Sequence, residues 1–306
     1  MRVTALAGGT DAAKLLRGLA ACLGPGELTV IGNTGDDTEV WGLHVSPDLD
    51  SVAYALGGVL DVERGWGRAG ETFHCRDAMA TLGAATWFNL GDRDLATHLA
   101  RTAALRAGEP LSTVTAGLAA RLGVTTHLLP MSDQPVRTFV QTTAARLSFQ
   151  EYFVRDRAGG DVVGVEYVGA ADARPAPGVT AAITEADLVV VCPSNPVTSI
   201  GPILAVPGIA AALERARTVV GVSPIVGGAP VSGPAGRLMQ ARGLDVSPLG
   251  VAAAYAPWLA ALLIDTRDGA LGPALEQTRV RAVVTDVMMT SPAREVELAR
   301  AVLAAA

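Results

Sequence analysis

Several features that would assign a chain quickly are missing or scarce here. Only three of the 306 residues are cysteine. Cys22, Cys75 and Cys192 stand far apart with no C-x-x-C spacing, which argues against a disulfide framework or a structural zinc site and fits a reducing compartment. No apolar run approaches the roughly 18 residues that a membrane-spanning helix needs. Met1 to Ala7 enters an apolar strand pattern at once, without the long apolar region and cleavage site of a secretory signal. A soluble, cytoplasmic protein with no membrane partner is expected. Positive charge is also short: the formal net charge is −6, against the basic surface of a duplex nucleic-acid binder. Three catalytic or cofactor signatures are absent: the G-x-G-x-x-G fingerprint of a nicotinamide-dependent dehydrogenase, the Gly-Lys-Ser/Thr of a P-loop, and the G-x-S-x-G elbow of a serine nucleophile. Internal repeats and low-complexity linkers are lacking as well.

What remains is ample material for a core, with 50% apolar and 18% charged residues. Residues 2 to 7 form a short apolar run ending at Gly8-Gly9-Thr10. A helical pattern follows, with Ala12, Leu15, Leu16, Leu19, Ala20 and Leu23 on one face, Thr10 as candidate N-cap and Gly24-Pro25 as the stop. Leu28 to Ile31 is a second apolar run, ending in the polar loop Gly32 to Asp37. Strand, loop, helix, strand, loop is the opening rhythm of a parallel α/β sheet. Helical patterns over 94–107 and from Ser112, a candidate cap, towards Gly123 fill the middle. From about Val136 to Val168 the pattern turns β-branched or alternating, with Gly159-Gly160 as a turn. The parallel rhythm resumes at Leu188–Val191, Val219–Val222, Ala260–Ile264 and Ala282–Thr285. The expectation is an α/β fold: a Rossmann-like, mostly parallel sheet flanked by helices, one catalytic domain over 1–306 with a small β-rich subdomain inserted at about 136–170.

In open α/β sheets ligands gather beyond the carboxyl ends of the strands. Gly8-Gly9-Thr10 lets backbone approach a ligand closely, and the following helix aims its free amides there, which suits phosphate; a tight turn alone would also call for glycine. Carboxylates recur at strand ends and loops: Asp36, Asp37, Asp48, Asp50, Asp92, Asp94 and Asp133. Any one of them reads most simply as a turn former, but a cluster supplies the hard oxygen ligands that Mg²⁺ takes in phosphoryl transfer. Pro193 to Pro202 is a stiff loop rich in neutral donors, Ser194, Asn195, Thr198 and Ser199. It lines a polar ligand or, through Ser199, caps the next helix. His98 follows Asp94 by four residues on one helical face, a pairing read as structural before catalytic. Arg93 and Lys14 are candidate phosphate contacts, each equally explained as surface charge.

Taken in order, these segments resemble the 2-phospho-L-lactate transferase family of coenzyme F-420 biosynthesis. The resemblance rests on Ala7-Gly8-Gly9-Thr10 with Ala13 to Leu19, Asn33-Thr34-Gly35-Asp36-Asp37, Trp41-Gly42, Ser46 to Asp50 and Gly65-Trp66-Gly67. It continues through Leu90 to His98, Pro130-Met131-Ser132-Asp133, Phe149 to Tyr152, Ser194 to Pro202 and Ser223 to Gly233. It implies a homodimeric, Mg²⁺-dependent enzyme. The primary alcohol of a deazaflavin, Fo, would attack the phosphorus of a guanosine diphosphate-linked phospho-acid, and GMP would leave. The acid would be phosphoenolpyruvate, 2-phospho-L-lactate or 3-phosphoglycerate, with phosphoenolpyruvate expected.

By position, the resemblance makes Asp50 and Asp37 the catalytic candidates and Asp36, Asp37 and Asp50 the metal candidates. Gly8, Gly9 and Thr10 would border the nucleotide or its phosphates. Ser194, Asn195 and Ser199 would help hold the guanosine part. Lys14, Asn33, Asn89, Asp92, Arg93, Ser132 and Asp133 complete the candidate substrate contacts. Asn89 stands where family members often carry a basic residue, Asp11 where glycine is common, and Gln134 where a second acid is common. The rival reading is a nucleotide-sugar-binding regulatory protein of the gluconeogenesis-factor type, which also opens on Gly-Gly-Thr. The stretches Trp41 to Asp50 and Trp87 to His98 favour the transferase.

Overall fold

The computed structural model describes residues 1–306. Seven strands form one parallel sheet in the spatial order Arg281–Thr285, Ala261–Asp265, Val219–Val222, Leu188–Val191, Val3–Ala7, Leu28–Gly32, His127–Pro130. Its inner strands are near-continuous apolar runs because both faces are covered. Alternate residues feed two cores. Leu6, Ile31, Val189 and Val191 belong to one, while Val3, Ala5, Ala7, Val30, Leu188 and Val190 belong to the other. The apolar runs seen in the sequence are thus strands. The edge strand His127–Pro130 had no such signal: it is four residues long, starts on an exposed histidine and ends on proline.

Chain direction across the sheet reverses at the first strand, whose neighbours are Leu28–Gly32 on one side and Leu188–Val191 on the other. A crevice opens where the connections diverge, outside the carboxyl ends of those strands. Two helices are positioned by it. Gly9–Cys22 follows the first strand directly, and Pro47–Leu56 follows a hairpin, Thr38–Val40 with Leu43–Val45. The hairpin turn is Trp41-Gly42, both at positive φ, 52° and 74°, as a two-residue type I′ turn demands. The first helix starts one residue before Thr10, with Gly8 rather than Thr10 at the N-cap. Ser112 is not a cap either. The helix Leu111–Arg121 has Pro110 at that position, and the Ser112 hydroxyl instead donates to Asp133 Oδ2 at 3.0 Å.

A three-stranded antiparallel sheet, with Arg137–Thr142 between Arg146–Ser148 and Val162–Val168, rides on the crevice side. It is tied down by the Thr138 amide on the Gly35 carbonyl at 2.7 Å and by the Tyr167 hydroxyl on the Val197 carbonyl. No helix is long and apolar enough to cross a membrane.

Candidate active site

A cavity of about 600 Å³ occupies the crevice. One end is built by the first strand-to-helix turn and by the Ser194 loop beside it. The Gly8 amide donates to Ser194 Oγ at 3.1 Å, stitching the two switch-point loops together. A side chain at Gly8 is excluded, because a Cβ would fall 2.4 Å from Asp48 Oδ2 and 2.7 Å from Ser199 Cβ. Gly9 opens the helix at φ 78°, a conformation glycine adopts freely. Asn195 caps the turn that follows: its Oδ1 accepts from the amides of Val197 and Thr198 at 2.9 and 3.3 Å. Cap duty therefore falls to Asn195, and Ser199 lines the cavity.

Carboxylates hold the middle. Asp36, Asp48, Asp50 and Asp94 all line the cavity and all are buried. Pro47–Leu56 carries Asp48 and Asp50 in its first turn, where the helix dipole favours negative charge. Asn33 fixes Asp48 through an Nδ2 bond to Oδ2 at 2.8 Å, and itself lies wholly inside. Burial, followed by the neighbouring Asp37 charge, overcomes the Asn33 hydrogen bond and pushes Asp48 up to about 7. Asp36 is driven well above the carboxylate range by burial first, then by Asp48 and Asp37. Asp37 sits just behind: its Oδ2 meets His44 Nε2 at 2.9 Å and Ser46 Oγ at 3.0 Å. One oxygen each of Asp36 and Asp37 is buried with no partner at all.

These unpartnered oxygens, crowded onto mutually repelling carboxylates, are what a hard cation would satisfy. No three acidic, His or Cys side chains form a closed cage. Mg²⁺ at phosphoryl sites takes one or two carboxylates and completes its shell from water and substrate phosphates, so this donor set fits.

The far wall is a buried array on the helix Asp92–Arg106. Arg101 grips Asp50 with both terminal nitrogens, Nη1 to Oδ2 at 3.0 Å and Nη2 to Oδ1. The same Nη1 lies 3.2 Å from His98 Nδ1. His98 Nε2 lies 3.2 Å from Asp94 Oδ1, which also accepts the Tyr54 hydroxyl at 2.6 Å. Burial works against ionisation of Asp94, yet His98, Tyr54 and the Arg101 charge together hold it below the usual range. Beyond this array the cavity turns aromatic, with Trp66, Phe88, Phe149 and Phe153 among its walls. Phe149 and Phe153 stack at 5.5 Å between centroids.

Among the sequence candidates, Gly8, Gly9, Thr10, Asp36, Asp50, Asn89, Ser194, Asn195 and Ser199 line this cavity. Asn89 Oδ1 accepts from Arg76 Nη1 at 3.0 Å, so a guanidinium stands beside the amide. The others lie elsewhere for identifiable reasons. Asn33 and Asp37 stand behind the lining. Asp92 receives the backbone amides of His74 and Cys75, and Arg93 bonds the Ala69 carbonyl at 2.7 Å. Ser132 accepts from the Gln134 amide in a local turn, and Asp133 accepts from the Ser112 amide at the start of the helix Leu111–Arg121. Lys14 pairs with Asp11 at 2.9 Å and borders a neighbouring cavity. Sequence reasoning missed Arg101 and Tyr54, which in the linear chain are an ordinary helix-surface arginine and a lone aromatic.

Fold and site together define a Rossmann-like protein whose switch-point cleft joins an anion-receptive loop to buried carboxylates. The model for 2-phospho-L-lactate transferase CofD matches residues 3–300, and the chain belongs to that family of transferases. A phosphoenolpyruvate transferase of Kitasatospora aureofaciens is 48% identical over 100% of this chain and 98% of its own. A 2-phospho-L-lactate transferase of Methanosarcina acetivorans is 44% identical over 97% of each. In three dimensions the chain resembles a UPF0052-family protein of Bacillus halodurans, with TM-score 0.66 over 99% of this chain and 98% of that one. At 16% identity that likeness speaks to the fold alone.

Proposed function

We propose that this transferase joins a phospho-acid to the primary alcohol of the deazaflavin Fo in coenzyme F-420 biosynthesis, drawing on a guanosine diphosphate-linked donor and releasing GMP. The reading rests above all on one observation: the switch-point cavity places an anion-receptive loop beside buried, under-compensated carboxylates. Five aspartates line it, Asp11, Asp36, Asp48, Asp50 and Asp94, against a single arginine, Arg64. Such a cleft repels a diphosphate unless a cation comes with it. Asp36 and Asp37, each with a buried oxygen lacking a partner, and Asp48 beside them are the residues that would hold Mg²⁺. When bound it would neutralise the phosphate oxygens and the charge that develops on them.

The chain's own groups then have separable tasks. Backbone at Gly8 and Gly9, with Ser194 and Ser199, borders the phosphates at the helix start. Aromatic walls around Trp66, Phe88 and Phe149 suit a planar tricyclic acceptor. Asp50 keeps lone pairs not used by Arg101 and turns them towards the alcohol. As the alcohol oxygen bonds to phosphorus, its proton passes to Asp50 and the bond to GMP breaks. Phosphoenolpyruvate is the proposed acid, supported by the name of the Kitasatospora relative.

The test supplies purified protein with Mg²⁺, Fo and the guanosine diphosphate-linked forms of phosphoenolpyruvate, 2-phospho-L-lactate and 3-phosphoglycerate in turn. A deazaflavin phosphodiester whose mass carries the enolpyruvyl group is expected. A product only with another acid would correct the donor; no product with any would refute the reaction.

A further inference from the structure

We infer that Arg101 is a positioning residue for the transfer: it locks Asp50 into one orientation and fixes which nitrogen of His98 carries the proton. The inference rests on the reaction proposed above and adds a group that does not itself reach the cavity.

Three observations carry it. First, Arg101 is 2% exposed, and a guanidinium is taken this far from water only where its partners repay the loss of hydration. Second, its grip on Asp50 is two-pronged, which fixes the carboxylate plane as a single contact would not. Each Asp50 oxygen gives Arg101 one lone pair, so the free pairs point away from the guanidinium. Third, Arg101 Nη1 also faces His98 Nδ1 at 3.2 Å. Arginine only donates, so His98 Nδ1 must accept, and the ring proton belongs on Nε2, facing Asp94 at 3.2 Å. With Nδ1 turned to the guanidinium and Nε2 carrying the proton, buried and without a well-aligned acceptor, His98 presents no free base site to a substrate alcohol. Two carboxylates remain on this wall: Asp94, whose Oδ1 is taken up with Tyr54 and His98, and Asp50, whose aim Arg101 sets.

The arrangement also explains a choice of residue. Lysine at 101 would keep the charge but offer one nitrogen, and so could not hold both Asp50 oxygens in one plane. Asp50 would then swing about its side-chain bonds. Misplacing a reacting group by about 1 Å costs on the order of 100-fold in rate.

The experiment compares wild type, Arg101→Lys, Arg101→Met, Asp50→Asn and the double variant Arg101→Met/Asp50→Asn in the phosphodiester assay. Melting curves show which variants are folded. Arg101→Met alone strands a buried carboxylate and is the variant at risk of unfolding; the double variant removes that charge, and Arg101→Lys retains the pairing. Arg101→Lys is expected to lose roughly 10- to 100-fold in kcat with both KM values within about threefold. The double variant should be no slower than Asp50→Asn alone, since Arg101 acts through Asp50.

Unchanged kcat in folded Arg101→Lys, a loss appearing only in KM, or a double variant slower than Asp50→Asn would each overturn the inference while leaving the reaction standing. No product from the wild type would overturn the reaction and the inference together.

Discussion

At Gly8 the constraint is space and not backbone conformation. Its φ of −158° is open to any residue, yet a Cβ would overlap Asp48 and Ser199. Gly8→Ala is therefore expected to displace the carboxylate and cut turnover by about 100-fold, with a stability loss of about 1–3 kcal/mol; steady-state kinetics and a melting curve check both. The aspartates make a second prediction. Asp48 and Asp36 hold protons more tightly in the folded chain than in the unfolded one. Between about pH 4, the unfolded value, and the raised folded values, increasing pH removes protons that favoured folding, so stability falls as pH rises. With divalent cations chelated, the melting temperature should drop from pH 5 to pH 7.5, and Asp48→Asn should flatten that slope. Mg²⁺ should restore more stability at pH 7.5 than at pH 5. A pH-independent melting temperature in chelator would contradict this picture of the cluster.

Elements were more legible than contacts. Leu188–Val191 and Val219–Val222 announce themselves because strands buried on both faces need unbroken apolar runs. His127–Pro130 does not, for an edge strand carries half that demand. The hairpin around Trp41-Gly42 was hidden by its shortness, three residues a side. Arg101 shows the limit most clearly. Its helix, Asp92–Arg106, mixes charge and alanine along its length, and nothing local distinguishes Arg101, buried on Asp50, from Arg106, which reaches the Gly42 carbonyl at the surface. The partner is fixed by a packing angle that no window of sequence contains. Helix packing also offers a control away from the site. Gly18 lets the helices Gly9–Cys22 and Pro292–Ala304 touch, and a Cβ there would lie 2.2 Å from the Glu295 carbonyl oxygen. Gly18→Ala should lower stability by about 1–3 kcal/mol. Activity of the folded fraction should stay within about twofold, which separates scaffold from site by measuring kcat per folded molecule.

On the scale of the whole molecule, the cavity is assembled from segments that the chain keeps far apart. The Gly8 turn, the Asp36–Asp50 stretch, the Asp94–His98 helix, the Phe149 segment and the Ser194 loop meet only because the strand order reverses at Val3–Ala7. That reversal was foreseeable as a class of fold, and the loops flanking it were foreseeable as the place for a ligand. Which aspartates face inward was not, since Asp36, Asp37, Asp48, Asp50, Asp92 and Asp133 look alike in the sequence. Burial sets Asp36, Asp37, Asp48 and Asp50 apart from Asp92 and Asp133, which accept from backbone amides. Of the buried four, Asp36, Asp48 and Asp50 line the cavity while Asp37 stands behind.

The central claim is that this carboxylate-lined cleft transfers a phospho-acid from a guanosine diphosphate-linked donor to a deazaflavin alcohol. The most direct test is a stoichiometric one: enzyme, Fo and enolpyruvyl donor are mixed with Mg²⁺, and GMP and phosphodiester are quantified in the same quenched samples. Equal amounts of the two at every time, and neither in chelator, are the result the account predicts. GMP without phosphodiester, or both formed undiminished in chelator, would contradict it.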